Sequence, residues 1–287
     1  MKIAVLGTGL MGAPMAQNLH QQGHQIAVWN RSREKLDALT AQGLIASQTA
    51  ADAVQHAELI VTMLTDIDAI QSVLNSIPDT LWAGKTLLQS STITAEQSRD
   101  LQKCMEQKKA QYFECPVLGS IPQAATGSLI LICAGPEPVY QSLQAILKLI
   151  GSETHYMGPD CGQAAAAKLA LNQLIPSLIA MFGLSLHYIQ AQGIEPENWM
   201  KILRSSALYA PSYDKKLQRL LDNDFTHPNF PVKHMLKDVQ LFLDTAQTLD
   251  TRMLDALKGL LQKNIDQGLA EADYSAVGNA VLNSKTE

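Results

Sequence analysis

The sequence predicts an α/β chain in two parts. A doubly wound, largely parallel sheet with flanking helices comes first, an all-α part follows, and one long helix joins them. Three observations carry this. Over the first half, short apolar runs alternate with polar, helix-favouring stretches, the pattern of βαβ units. Near Gly158 the alternation stops. Beyond it only helical periodicity appears, led by an Ala- and Leu-rich stretch over 164–192. The expected domains are 1–161 and 162–287.

Strands are expected at 2–6, 25–29, 59–63, 86–88, 111–113, 129–134 and 153–156. The intervening helices are expected at 11–22, 33–42, 50–55, 69–75, 95–109 and 137–150, joined by right-handed crossovers. In the long helix, Pro176 lacks an N–H and is a candidate kink. Further helices are expected at 196–205, 213–221, 232–249 and 252–267. The stretch 222–231 holds two prolines and two asparagines and reads as a loop. The polar tail 283–287 is expected to be mobile.

Composition narrows the function. At 287 residues, 46% of them hydrophobic, the chain can build two cores. A net charge of -5 speaks against general nucleic-acid binding, which needs a basic surface. Cys104, Cys115, Cys133 and Cys161 form no C-x-x-C pair, so they read as reduced thiols of a cytoplasmic protein. The N-terminus enters a strand directly, with no signal-peptide pattern expected. The apolar stretch 164–186 contains Lys168, Asn172, Gln173 and Pro176, a set that fits a buried helix better than a membrane span. His20 and His24 stand four residues apart, but the histidines make no tight cluster with cysteine, so no metal is expected. No G-x-S-x-G elbow is present to support a hydrolase.

The stretch GTGLMG carries the first chemistry. Gly7, Gly9 and Gly12 lie where the first strand should turn into the first helix. Gly7 permits the tight turn, Gly9 lets a pyrophosphate approach the backbone, and Gly12 lets the helix pack on the strand. Around Leu10 and Met11 the helix start offers N–H groups and partial positive charge to phosphate oxygens. The second strand ends at Asn30-Arg31-Ser32. An acidic residue there would accept hydrogen bonds from the ribose of NAD and repel a 2′-phosphate. Asn30 is neutral, and the Arg31 guanidinium can hold a 2′-phosphate in a bidentate fork. The cofactor expected is therefore NADP(H), with NAD(H) as the alternative. Arg33 and Lys35, close behind, read equally well as a solvated helix face.

Four motifs in order, GTGLMGAPMAQNL with VWNRS, ECPVLGS, Lys168-x-x-x-Asn172 and Lys237-Asp238, make the chain resemble the β-hydroxyacid dehydrogenases. That group includes 3-hydroxyisobutyrate dehydrogenases and glyoxylate/succinic semialdehyde reductases. The resemblance spans Met1 to about Ala270. It implies a Rossmann-type domain, a long interdomain helix and a helical domain. It also implies reversible hydride transfer between NADP(H) or NAD(H) and a small acid bearing an aldehyde, ketone or hydroxyl, and a homodimer or homotetramer built through the helical domain.

The resemblance also assigns roles. Lys168 matches the catalytic lysine, and Asn172, one helical turn on, matches the asparagine that orients lysine and substrate. On periodicity alone, a lysine snorkelling from an apolar helix is the plainer reading of Lys168. Gly119 and Ser120 match the segment that presents N–H donors to the substrate carboxylate; Leu118 stands where that family usually has serine. Leu64, Thr65, Ser91 and Thr92 match loops touching the nicotinamide ribose and, through Thr92, the substrate. Lys237 matches a residue reaching the cofactor, Asp238 one that fixes the catalytic cleft, and Phe230 a wall of the substrate pocket. Gln89 stands where the family often has Asp, and Ala164 where it often has a second glycine. Two other readings remain: an imine reductase, whose members usually carry Asp or Tyr in place of Lys168, and a non-catalytic NADP-binding module, whose members have lost the lysine.

Overall fold

The computed structural model describes residues 1–282; the tail at 283–287 lies outside the described residues. The chain divides into two compact units, Met1–Leu169 and Ala170–Glu287.

In the first unit, β1 (Lys2–Leu6), β2 (Gln25–Trp29), β3 (Ile45–Ala46), β4 (Leu59–Thr62), β5 (Thr86–Gln89) and β6 (Gln111–Glu114) form one sheet in the order β3-β2-β1-β4-β5-β6. All five pairings are parallel. Side chains alternate between its faces. Ile3 and Val5 join Met15, Leu19, Val28 and Phe113 in one core. Ala4 and Leu6 join Val54, Ile60, Ile70 and Trp82 in the other. With both faces covered, the central strands are apolar throughout, as buried parallel strands must be. The covering helices include α1 (Gly12–Gln21), α2 (Asp37–Thr40), α3 (Ala50–Gln55), α4 (Ile67–Asn75) and α5 (Ala95–Gln107). Polar side chains cap three of them: Thr49 accepts from the Asp52 N–H, Asp66 from Ala69 and Thr94 from Gln97.

The expected single sheet is split in two. The strands expected at 129–134 and 153–156 leave it and form a second sheet, β7 (Val117–Leu118), β8 (Leu129–Cys133) and β9 (Gly151–Tyr156), with α6 (Ile121–Thr126) and α7 (Glu137–Ile150) between them. β7 runs antiparallel to β8, and β9 parallel to it. The split falls at Pro116, which has no N–H to continue the β6 ladder. Its carbonyl accepts from the Ile132 N–H at 3.0 Å, and a Glu114–Ala134 bridge stitches the sheets together. The helix expected at 33–42 is instead a 3-10 turn over Arg33–Lys35 followed by the four-residue α2.

α8 (Gln163–Ala191) is 29 residues long and continuous as a helix across Pro176. By length and composition it is the one helix among the described residues that could cross a membrane. One face of its later turns, however, joins a protein core. Ile179, Phe182, Leu186 and Ile189 pack with Met200, Leu220, Met235, Leu261 and Val277. These come from α9 (Pro196–Arg204), α10 (Pro211–Asp222), α11 (Val232–Thr245), α12 (Arg252–Asp266) and α13 (Val277–Ala280). α11 stops four residues short of the expected 249. Phe182 stacks on Tyr213 with centroids 4.7 Å apart. Deep in the unit, Lys216 Nζ lies 2.7 Å from Asp273 Oδ1, and both are buried.

Candidate functional site

In an open parallel sheet, ligands sit at the carboxyl ends of the strands, where the strand order reverses. Here the reversal lies between β1 and β4. Except for Lys168, on α8, the predicted residues of the first unit follow the carboxyl ends of its strands: Gly7 after β1, Asn30 after β2, Leu64 after β4, Ser91 after β5 and Leu118 beyond β6.

The three glycines separate by cause. Gly7 has φ +100°, and a Cβ on it would overlap the Met63 carbonyl across the switch point. A Cβ on Gly12 would overlap the Gly7 carbonyl. Both are required by the fold. A Cβ on Gly9 meets no heavy atom within 4 Å, so nothing in the protein accounts for its bareness. A backbone stripped of side chain over open space, at the start of α1, fits the approach of a dinucleotide pyrophosphate. Thr8 Oγ1, buried with no hydrogen-bond partner, adds a polar atom at the same turn. Leu10 is exposed and Met11 half-buried beside it.

Asn30 also stabilises the loop itself. Its Oδ1 accepts from the Thr8 N–H at 3.1 Å and its Nδ2 donates to the Ser32 carbonyl at 3.0 Å. It ties the glycine turn to the end of β2. Ser32 is half-buried, and the side chain of Arg31 is exposed. A hollow of about 390 Å³ lies further along, around α2, lined by Arg33, Leu36, Asp37, Thr40, Ala41 and Ala46.

The β4 and β5 loops are bound to each other. Ser91 Oγ accepts from the Leu64 N–H at 2.8 Å. Gln89 Oε1 accepts from the Ser91 N–H at 2.7 Å, and its Nε2 donates back to the Ser91 carbonyl at 2.9 Å. Gln89 and Ser91 are thus buried loop fasteners, which leave half-buried Thr92 and exposed Thr65 at the rim.

In the 116–120 segment, Val117 and half-buried Leu118 are held as an edge strand on β8. The N–H of Ser120 and its hydroxyl both donate to Gln123 Oε1, at 3.0 and 2.8 Å. The Ser120 N–H, expected to face a ligand, here closes a capping box at the start of α6. Gly119 is exposed at the turn.

α8 and α11 carry the remaining polar groups. Lys168, on its second turn, is 8% exposed, an unusual burial for lysine. Asn172, at i+4 on the same face, is 2% exposed, and its Nδ2 donates to Asp238 Oδ2 at 2.6 Å. Asp238, on α11, is 3% exposed and pairs through Oδ1 with Lys237 Nζ at 2.7 Å. Asn172 Oδ1 is buried without a hydrogen-bond partner. Phe230 lies at the margin of the helical core, its ring 6.3 Å from Tyr274 and 6.5 Å from His234. Among the described residues no group of three His, Cys, Asp or Glu side chains could hold a metal ion.

Sequence reasoning passed over Glu114. It is 1% exposed, and burial pushes its carboxyl up to about 7 against the hydrogen bonds it receives. Its signal was a lone acid at the end of an otherwise uncharged strand.

A parallel sheet with a glycine turn at its switch point, followed by an all-helical unit, is the architecture of a nicotinamide-dinucleotide oxidoreductase. Residues 2–158 match the NAD binding domain of 6-phosphogluconate dehydrogenase. Residues 162–281 match the NAD-binding region of NADP-dependent 3-hydroxyisobutyrate dehydrogenase. Glyoxylate/succinic semialdehyde reductase 2 of Arabidopsis thaliana is 30% identical over 99% of this chain and 80% of its own length. The fold resembles that of 3-hydroxyisobutyrate dehydrogenase from Mycobacterium tuberculosis, with TM-score 0.87, 21% identity and coverage of 98% and 99% of the two chains. It also resembles a reductive aminase from Aspergillus terreus solved with NADPH, with TM-score 0.68, 25% identity and coverage of 97% and 98%. The chain belongs to the β-hydroxyacid dehydrogenase family and is an NAD(P)-binding oxidoreductase.

Proposed function

We propose that the chain is an NADPH-preferring reductase of small aldehyde or keto acids, of the glyoxylate, succinic semialdehyde or 3-hydroxyisobutyrate class. One observation carries the reading: a buried lysine, Lys168, one helical turn from a buried asparagine that is itself fixed by a buried carboxylate. A lysine sequestered this way is suited to proton transfer.

The bound nicotinamide supplies or accepts a hydride. The protein supplies the rest. The Gly7–Gly12 turn and the α1 N-terminus hold the pyrophosphate, and Arg31 and Ser32 read the 2′-phosphate. Asn30 holds the turn in shape. Leu64, Thr65 and Thr92 line the ribose side. Reduction builds negative charge on the carbonyl oxygen, and the Lys168 ammonium stabilises and then protonates it. In the reverse direction the neutral amine takes the hydroxyl proton. Asn172 orients the amine, and Asp238 anchors Asn172. Gly119 and Phe230 contribute to the substrate side. Leu118 removes a hydroxyl from that side, which favours an acid less dependent on a carboxylate–hydroxyl contact. We assign Lys237, the ion-pair partner of Asp238, to cofactor binding.

The likeness to an NADPH-bound reductive aminase supports a second reading, reduction of imines. A panel of glyoxylate, succinic semialdehyde, 3-hydroxyisobutyrate with NADP, and a cyclic imine, followed by NADPH absorbance, separates the two. Turnover of an acid and none of the imine is the expected result; turnover of the imine alone overturns the proposal. Binding of NADPH with no turnover of any would leave a non-catalytic module.

A homo-oligomer is part of the proposal. Leu171, Leu174, Leu178, Met181, Leu184 and Tyr188 recur at helical spacing along α8 and are all exposed. Met181→Glu should shift the mass measured by light scattering toward a single chain, whereas a wild-type monomer would contradict this part.

A further inference from the structure

Helix α8 starts without a cap of its own. The residue before it is Gly162 and its third residue is Ala165, so neither supplies the side-chain oxygen that normally accepts N–H groups at a helix start. One carboxylate from a distant strand does both jobs. Glu114, the last residue of β6, accepts from the Gly162 N–H at Oε1 and from the Ala165 N–H at Oε2, the latter at 2.9 Å. Ser98, on α5, donates to Oε1 at 2.8 Å and lies 2.6 Å from the Tyr112 hydroxyl. A Cβ on Gly162 would come within 2.5 Å of Arg99, so the capped turn is also packed tightly on α5. Lys168 lies three residues beyond Ala165, and β6 leads through Cys115 and Pro116 into the 117–120 segment. A single buried side chain therefore fastens the start of the lysine-bearing helix to the strand that runs into the proposed substrate loop.

We propose that Glu114 is a positioning residue: its carboxylate fixes the first turns of α8 and thereby holds Lys168 in register with the loop that follows β6. The inference rests on the reading of Lys168 given above. An ionised carboxylate accepts on both oxygens, and here backbone N–H groups of the α8 start and the Ser98 hydroxyl converge on it. Protonation turns one of those oxygens into a donor, and the N–H facing it loses its partner. The helix start then loosens where displacement matters most, because a shift of about 1 Å in a reacting group can cost on the order of a hundredfold in rate. The change falls near neutrality. Burial raises the Glu114 carboxyl to about 7, opposed by the Ala165 and Ala164 N–H groups, the Ser98 hydroxyl and the Arg99 charge. The other titratable groups around it, Tyr112 and Cys161, are both pushed up by burial and stay neutral there. Above about 7 the cap is intact; below it the cap is protonated, and turnover falls.

The test uses full-length wild type, Glu114→Gln, Ser98→Ala and Lys168→Ala, with NADPH and the preferred substrate of the panel. It measures kcat and KM across neutral pH together with amide hydrogen exchange over residues 162–169. Wild type should show an acid limb near pH 7. Glu114→Gln should lower kcat about tenfold, remove that limb, leave KM for NADPH unchanged and speed exchange at the start of α8. Ser98→Ala removes one hydrogen bond to the ionised form and should move the limb upward. If Glu114→Gln fails to fold, an unmoved limb in Ser98→Ala overturns the inference. So does a wild-type profile without the limb, or a Glu114→Gln enzyme with wild-type exchange and turnover. Lys168→Ala keeps the two claims apart: if it loses turnover while Glu114→Gln behaves as wild type, only the positioning role fails. If it keeps turnover, the reading of Lys168 fails.

Discussion

Substituting the glycines of the first turn one at a time separates what the fold requires from what the ligand requires. At Gly9 the backbone is not left-handed, and an added Cβ meets nothing within 4 Å. Gly9→Ala should therefore leave the apoprotein as stable as wild type or stabilise it by about 0.4–1 kcal/mol, because alanine has fewer unfolded conformations to lose. Its methyl fills the space a phosphate oxygen would approach. Losing one charge-assisted hydrogen bond costs about 1.5–3 kcal/mol, which is roughly a 10- to 100-fold weaker Kd. Gly7→Ala should do the reverse to the fold. At φ +100° a side chain is strained, and its Cβ would overlap the Met63 carbonyl. The strain alone is about 1–2 kcal/mol, before the β4 loop moves. Thermal unfolding without ligand and fluorescence titration with NADPH read the two quantities independently. A Gly9→Ala protein that binds NADPH with unchanged affinity would refute the argument that Gly9 is bare for the ligand.

Two further outcomes follow from the same structure. Arg31→Asp should lower the ratio of kcat/KM for NADPH over NADH by at least an order of magnitude, since it exchanges a phosphate fork for a repelling carboxylate; an unchanged ratio assigns the phosphate to another group. Asp273→Asn should destabilise the protein by about 3–5 kcal/mol, because it leaves the buried Lys216 ammonium uncompensated. Burial opposes ionisation of Asp273, but the Lys216 and Ser275 hydrogen bonds outweigh it and hold the carboxyl below its ordinary value. The Asp273 contribution is therefore present above the unfolded value near 3.8 and lost as pH falls through the lower folded value. Urea unfolding at neutral and acid pH checks both statements.

The parallel sheet, the glycine turn and the long helix were legible because each rests on a local pattern. Apolar runs such as Ile3–Leu6 and the spacing of Gly7, Gly9 and Gly12 leave a mark in neighbouring residues. The second sheet left no such mark. β7 is two residues long, and its partner is chosen by the chain reversal after Pro116. Ser120 looked available because its sequence neighbours carry no competing acceptor except Gln123, whose capping role depends on α6, a helix too short to show a period. Glu114 and Gln89 escaped for a related reason. Glu114 serves residues far along the chain, and sequence spacing does not reveal a hydrogen bond between β6 and the start of α8; Gln89 serves Ser91 two residues on, through a turn geometry that the residue types do not specify. On the candidate site, sequence placed Lys168 and Asn172 on one face; only the structure adds that Asp238 fixes Asn172.

The most direct measurement is single-turnover NADPH oxidation by Lys168→Ala beside wild type, with the NADPH Kd measured on the same samples. The account predicts a loss of about 10²–10⁴-fold in the rate of hydride transfer, with the Kd essentially unchanged. A variant that transfers hydride at the wild-type rate would contradict the assignment of the proton to this amine. A loss of rate matched by an equal loss of affinity would instead make Lys168 a cofactor-binding residue.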